Sequence, residues 1–169
     1  MLRQEPLHNL RELAFAIEAY PNPHGEQGRV ERGQVILKQG DRVEKVLFLI
    51  GKTQARLLRE VVVEKEPRVV EAGAIRAPGI ANECCVQMQS GRERLVPRST
   101  VLISNPGDIW VMDKYLFKKR VSNRCMVKMK ELYDNEIADD KLVQSYLDHR
   151  RWKKFKNQLV EDIVYHGTG

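Results

Sequence analysis

The sequence has few of the residues from which metal and catalytic sites are built. It contains three cysteines, Cys84, Cys85 and Cys125, which form no C-x-x-C pair, and its four histidines are scattered singly. The motifs H-E-x-x-H, G-x-S-x-G and the P-loop do not occur. We therefore expect no metal site, no cofactor and no enzymatic activity. The adjacent Cys84 and Cys85 are expected to pack as small apolar side chains rather than to form a disulfide.

Long apolar runs are lacking as well. No stretch of about 18 apolar residues is present, as a membrane-spanning helix would require. Residues 1–6 lack the basic-then-apolar pattern of a signal peptide. With 169 residues, of which 42% are hydrophobic and 31% charged, the sequence predicts one soluble domain in the cytoplasm with no membrane partner.

Positive charge is in modest excess, with a net charge of +6. Such an excess can neutralise the phosphates of a nucleic acid. Much of it lies at residues 118–120 and 150–156, and short basic runs on helices are usually solvated faces. We therefore expect no nucleic-acid partner. Because Trp, Phe and Arg anchor protein interfaces, residues 150–156 are the candidate surface for a protein partner or effector.

Hydrophobic spacing predicts the order of elements. Leu10, Leu13, Ile17 and Tyr20 recur at helical spacing, which predicts an N-terminal helix that stops at Pro21.

Two β blocks follow this helix. From residue 28 to residue 70, β-branched clusters alternate with turn residues such as Glu66-Pro67, and a second block at 100–112 is broken by a turn at 105–108. The predicted fold class is mainly β with flanking helices, as an antiparallel barrel or sandwich.

The segment between the β blocks, residues 72–97, is rich in Gly, Pro and Arg, and its apolar residues 84–88 could form one or two helical turns. An irregular segment of this kind is where a binding site is expected. Two helical stripes follow the second block, and both are predicted to pack in the core. They are Val121, Cys125, Met129 and Leu132, then Trp152, Phe155, Leu159 and Ile163.

This order of elements resembles the cyclic-nucleotide-binding domain family, which includes the regulatory subunits of protein kinase A and the bacterial catabolite activator. Residues 33–41 look like the family's G-x-x-I-x-x-x-G-D turn, and Phe117 falls where the family places a Phe after the last strand. The similarity covers about residues 7–155. It implies an antiparallel β jelly-roll, with an N-terminal helical segment at 1–26, the β-roll at 27–117 and C-terminal helices at 118–169.

The family's phosphate-binding cassette reads roughly F-G-E-x-x-L and then P-R-x-A, and the corresponding text here lies within about residues 79–100. The resemblance implies that Glu83 accepts hydrogen bonds from the ribose 2′-hydroxyl and that Arg98 pairs with the cyclic phosphate, whose oxygens a planar guanidinium matches. It also implies that Trp152 or Phe155 stacks on the base as part of a lid. The nucleotide-binding residues expected from the cassette are Asn82, Glu83, Cys84, Arg98, Ser99 and Thr100.

The cassette also departs from the family pattern. Asn82 replaces a Gly, Ala81 replaces an aromatic or aliphatic residue, and residues 89–96 lengthen the interval between Glu83 and Arg98. Asn visits the left-handed region more readily than most residues, so the pocket can tolerate it. A hydroxyl at Ser99 could contact the phosphate or a guanine edge.

Two functions are therefore open. The first is a regulatory domain that binds cyclic AMP, in preference to cyclic GMP, and couples binding to movement of its C-terminal helices. The second is a ligand-free, degenerate domain that serves as a protein interaction scaffold, in which Glu83 and Arg98 pair with each other or cap local turns. A transcription factor is not favoured, because too few residues follow the lid helix for a helix-turn-helix.

Overall fold

The fold is mainly antiparallel β with flanking helices, as the sequence predicted. A computed structural model describes residues 14–22, 25–86 and 96–166. For residues 165 and 166 it describes the backbone but not the side chains. The strands in these ranges are β1 Glu18–Ala19, β2 Arg29–Val30, β3 Val35–Leu37, β4 Lys45–Ile50, β5 Gln54–Val63, β6 Glu66–Arg76, β7 Gly79–Ala81, β8 Thr100–Asn105 and β9 Gly107–Asp113. The helices are a 3-10 helix Glu83–Val86, α1 Lys114–Arg120, α2 Asn123–Asp134 and α3 Asp139–His166.

The strands form two sheets. The first has the order β1-β9-β4-β7, with β2 also paired to β9, and the second has the order β3-β8-β5-β6. Pro106 alone separates β8 from β9, so the chain crosses at this point from the second sheet to the first. The turn expected at 105–108 is therefore the corner between two sheets.

The chain divides into two compact units. The first comprises the described parts of Met1–Arg59 and Glu71–Glu136, which contain most of the two sheets together with α1 and α2. The second comprises Glu60–Val70, at the tip of the β5–β6 hairpin, and the described part of Ile137–Gly169, which contains α3. Within the second unit, Arg150 donates a hydrogen bond to Glu64 at 2.9 Å.

Strand β4 is buried on both faces, and the alternation of its side chains assigns them to two clusters. Leu47 and Leu49 join the main core between the sheets. Val46 and Phe48 join a second cluster with the α1 residue Phe117 and side chains of α2. The first unit is thus a three-layer arrangement of sheet, sheet and helices.

The N-terminal helix ends earlier than predicted. Residues 14–16 are helical, but Glu18–Ala19 pairs with Val111 and Trp110 of β9, and the Tyr20 amide donates to the Ile109 carbonyl at 3.1 Å. Pairing with the edge of the sheet satisfies backbone N–H and C=O groups of residues 18–20. These residues are therefore extended although the apolar side chains around them recur at helical spacing. Leu10 and Leu13 lie outside the described residues.

The predicted turn at Glu66-Pro67 was also wrong. Glu64 and Lys65 have φ angles of 52° and 72°, as the two central residues of a type I′ hairpin turn require. Glu66 therefore begins β6, and this strand continues through the first residues of the segment expected to be irregular.

The helical stripes were predicted in part. Val121, Cys125 and Met129 are buried, but Leu132 is 53% exposed and Tyr133 takes its place on the buried face. The α3 stripe does not pack in a core: Trp152, Phe155, Leu159 and Ile163 are 54%, 53%, 47% and 64% exposed. Among the described residues, no helix combines the length and the apolar character needed to cross a bilayer.

Phe117 carries the contact between α1 and the sheet. Its side chain is fully buried, and its ring lies 6.0 Å from that of Phe48. We expect Phe117→Ala to lower the free energy of unfolding by about 3 to 5 kcal/mol in denaturant titrations, because it leaves a large cavity. The matched control Leu116→Ala, at a neighbouring position that is 42% exposed, should change it by less than about 1 kcal/mol. Similar losses in both variants would contradict this packing.

Candidate functional site

The first unit contains a cavity of about 230 Å³. Side chains of both sheets form an apolar wall, and the two ends of the predicted cassette and the end of α2 supply the polar groups. The apolar lining residues are Leu37, Leu57, Ile75, Ile80, Ala81, Pro97, Val101 and Leu132, and the polar ones are Asn82, Glu83, Cys84, Arg98, Ser99, Tyr133 and Glu136.

Five of the six residues predicted from the cassette line this cavity. Thr100 does not line it. Its hydroxyl oxygen instead accepts a hydrogen bond from the Gln39 amide at 3.1 Å, while the Gly40 amide donates to the Pro97 carbonyl at 2.9 Å. The turn at 39–40 therefore fixes the backbone on both sides of Arg98 and Ser99.

Asn82 sets the direction in which the chain enters the 3-10 helix. It has a φ angle of 62°, in the left-handed region, and its Nδ2 donates to the carbonyls of Val43 and Lys45 at 2.8 and 2.7 Å. The Asn82 carbonyl then accepts from the Cys85 amide at 3.1 Å. The side chain thus holds the backbone conformation that a glycine would adopt freely.

Glu83 is the first residue of the 3-10 helix and is only partly exposed. Burial raises the pKa of its carboxyl above the ordinary 4.5, and the negative charge of Glu136 raises the pKa further, against a lowering by a backbone hydrogen bond. Burial likewise raises the pKa of Cys84 and Cys85 to about 12 each, so both free thiols stay protonated at neutral pH.

Arg98 is exposed and lies against α2. Its Cζ is 4.2 Å from the centre of the Tyr133 ring, and its Nη1 donates to the Tyr133 carbonyl at 3.4 Å. The Tyr133 hydroxyl donates to the Val96 carbonyl at 3.3 Å. Glu83 and Arg98 therefore border one cavity, but Arg98 contacts Tyr133 and forms no ion pair with Glu83 among the described residues.

Arg59 is a residue of this region that the sequence analysis missed. Its side chain is 3% exposed, its Nε and Nη2 each donate to the Ser99 hydroxyl at 3.2 Å, and its Nη2 donates to Glu136 Oε2 at 2.5 Å. A signal was present, because Arg59 continues the alternation that places Ala55 and Leu57 on one face of β5. A charged residue at an inward position needs a partner.

The pKa of the Glu136 carboxyl is subject to opposing effects. Burial raises the pKa of its carboxyl above the ordinary value, while the positive charges of Arg59 and Arg98 lower it, and the rise prevails. The polar side of the cavity thus combines two carboxyl groups, Glu83 and Glu136, with the guanidinium of Arg98. Arg59 does not line the cavity itself, but it contacts the lining residues Ser99 and Glu136. Such a set can bind a small molecule that carries both an anionic group and hydroxyl donors.

Comparison with family models and with curated proteins gave no match. Solved structures do match. The regulatory domain of Toxoplasma gondii PKA with cAMP matches at a TM-score of 0.55 and 15% identity, over 78% of this chain and 43% of that one. The regulatory subunit of a cAMP-independent protein kinase A from Trypanosoma brucei matches at a TM-score of 0.59 and 11% identity, over 86% and 46%.

A cyclic nucleotide-binding domain from Methylobacillus flagellatus matches at a TM-score of 0.50 and 13% identity, over 92% of this chain and 72% of that one. The chain has the fold of a cyclic-nucleotide-binding domain. It spans less than half the length of the protein kinase A structures that it matches.

The aromatic residues expected to form a lid lie on α3, in the second unit. Trp152 and Phe155 stack on each other, with ring centres 5.5 Å apart, and Lys156 Nζ lies 5.7 Å from the Trp152 ring centre. A role in covering a base remains a prediction for both residues.

The conformation of Asn82 can be tested by two substitutions. We expect Asn82→Ala to lower the free energy of unfolding by about 2 to 4 kcal/mol. The substitution removes two hydrogen bonds, and it leaves in the left-handed region an alanine whose Cβ is strained there and whose side chain makes no hydrogen bond to offset that strain. Asn82→Gly removes the same bonds without that strain, so its loss should be smaller by about 1 kcal/mol or more. Equal losses, measured by denaturant unfolding, would show that backbone strain is not involved.

The raised pKa of Glu83 predicts a pH dependence of stability. A carboxyl with a raised folded pKa stabilises the fold fully below its unfolded pKa of about 4.5, and this contribution is lost as pH rises through the folded pKa. Glu83→Gln should therefore gain stability relative to the unmodified chain as pH rises, and the gain should disappear in acid. A difference that is constant in unfolding experiments from acid to neutral pH would be incompatible with a perturbed Glu83.

Proposed function

We propose that this chain is a regulatory module that binds a cyclic nucleotide in the cavity and couples binding to the helices that follow the sheet. The observation that carries the proposal is the placement of Glu83 and Arg98, from the two ends of the cassette, on one cavity with an apolar wall. A carboxylate and a guanidinium recognise different parts of such a ligand. Charge-assisted hydrogen bonds of either group are worth about 1.5 to 3 kcal/mol net.

Each polar group has a part in this proposal. Arg98 pairs with the cyclic phosphate, since its planar guanidinium offers two parallel donors. Glu83 accepts from the ribose hydroxyl. Side chains such as Leu57 and Val101 provide the apolar surface against which the ribose and base lose contact with water.

The size of the cavity requires a rearrangement on binding. Its volume of about 230 Å³ lies below the roughly 300 to 1,000 Å³ of most small-molecule sites. Arg98 lies against the ring and the carbonyl of Tyr133, which belongs to α2, so a phosphate that draws Arg98 toward itself weakens these contacts. Binding is therefore coupled to α2, because the ligand and the helix compete for the same guanidinium.

The polar contacts favour cyclic AMP over cyclic GMP. The hydroxyl oxygen of Ser99 accepts from two nitrogens of Arg59, which leaves it poorly placed to accept from a guanine edge as well. The solved neighbours include a domain with cAMP and a subunit described as cAMP-independent. The fold alone therefore does not select the ligand, and the polar groups of the cavity support the proposal of cyclic AMP.

A protein effector is a further part of the proposal. The rings of Trp152 and Phe155 are about half exposed on α3, beside the basic residues of 150–156. Aromatic and arginine side chains together are the usual anchors of protein interfaces. Within this proposal, the module regulates a partner through these residues and performs no catalysis itself.

Titration calorimetry tests the proposed function. We expect micromolar or tighter binding of cyclic AMP, weaker binding of cyclic GMP, and a loss of about tenfold or more in affinity on Arg98→Ala, because a charged phosphate contact is removed. Arg98→Lys keeps the charge without the paired donors and should lose less. Glu83→Gln should weaken binding through the ribose.

The matched control is Arg56→Ala. Arg56 lies on the same strand as Leu57 but is exposed, and it pairs with Glu71 at 2.5 Å. Its removal should leave cyclic AMP affinity unchanged. Absence of heat and of any shift in melting temperature at millimolar nucleotide would refute the proposal, as would an Arg98→Ala variant with full affinity.

A further inference from the structure

The buried Arg59–Glu136 pair has no role in the function proposed so far. Arg59 is more buried than Arg98, and it donates from two nitrogens to Ser99, a residue of the cassette. A guanidinium that is removed from water requires an anionic partner at close range. In this structure the carboxylate of Glu136 is such a partner, at 2.5 Å.

Glu136 is an anionic group that pairs with Arg59 and also lines the cavity, which Arg59 itself does not. Glu136 lines the cavity together with Arg98 and Ser99. Against the raising effect of burial, the positive charges of Arg59 and Arg98 both lower the pKa of its carboxyl, which favours the carboxylate form. A carboxylate and a phosphate offer a guanidinium the same paired oxygen acceptors. One chain segment therefore presents to Arg59 the same chemistry as the proposed ligand.

We propose that Glu136 competes with the anionic group of the ligand for Arg59. When the ligand displaces Glu136, Arg59 becomes a second phosphate-binding residue. This inference rests on the proposed function for the identity of the ligand. The exchange keeps Arg59 paired with an anion throughout, first with Glu136 and then with the phosphate. No state with an unpaired buried guanidinium is needed.

The position of Glu136 in the chain explains how its release would be transmitted. It follows the end of α2, where its amide donates to the Tyr133 carbonyl at 3.3 Å, and it is the last residue of the first unit. The same end of α2 holds Arg98 through Tyr133. An anion that draws both guanidinium groups to itself therefore removes two contacts from one short stretch of chain, immediately before α3.

The deciding variant is Glu136→Gln, which keeps the size of the side chain and removes its charge. We expect its affinity for cyclic AMP in calorimetry to rise by about tenfold, since the competing charge-assisted bond is lost. The control Asp134→Asn removes an equal charge at an exposed residue that does not line the cavity, and its affinity should stay unchanged.

A second measurement uses inorganic phosphate as the probe. The melting temperature of Glu136→Gln should rise more with added phosphate than that of the unmodified chain, with sodium chloride at matched ionic strength as the reference. Adding Arg59→Met to Glu136→Gln should remove both gains. If Glu136→Gln does not fold, Glu136→Asp retains a charge for Arg59 but withdraws it by one methylene, and its gains should be in the same direction and smaller.

The outcomes separate the two proposals. If the unmodified chain binds cyclic AMP and the Glu136 variants bind with equal or lower affinity, the competition is refuted and the proposed function stands. If cyclic AMP binds to neither chain but phosphate stabilises Glu136→Gln selectively, the exchange at Arg59 stands and the cyclic nucleotide is the wrong ligand. If neither chain responds to cyclic AMP or phosphate, both proposals are refuted.

Discussion

The arrangement of the site depends on one buried charge. Arg59 points inward from β5 with 3% of its side chain exposed, so its guanidinium needs an anionic partner in any conformation that keeps it buried. That requirement connects three parts of the molecule: the strand that carries Arg59, the cassette through Ser99 and the end of α2 through Glu136. Arg98 adds a parallel connection between the cassette and α2 through Tyr133. Ser99, Arg98, Tyr133 and Glu136, which these contacts hold, all line the cavity.

The sequence predicted the parts of the fold that local chemistry decides. Gly33 and Gly40 both adopt positive φ, as the turn motif implied, and Phe117 is fully buried where the resemblance placed it. The pairing of Glu18–Ala19 with β9 could not be read from spacing, because it depends on a sheet edge formed by residues about 90 positions later. The exposure of Trp152 was missed for a related reason, since helical spacing identifies an apolar face but not whether the same chain covers it.

The candidate site was predicted in the same uneven way. Motif comparison located Glu83 and Arg98, and the observed φ of Asn82 explains how the cassette tolerates the loss of its glycine. Motifs did not locate Arg59 or Glu136, because neither belongs to the cassette. Both become visible only when the inward face of β5 and the end of α2 are considered together. Charged residues at positions of apolar periodicity are therefore the signal to look for in related domains.

Strand β4 has a consequence for how this domain can diversify. Its four central side chains alternate between the clusters: Leu47 and Leu49 belong to the core between the sheets, and Val46 and Phe48 belong to the cluster beneath α1 and α2. Substitutions at Val46 and Phe48 could therefore change the packing against α1 and α2 during evolution and leave the core between the sheets unchanged. Four consecutive residues, 46–49, thus contribute to two clusters that can change independently of each other.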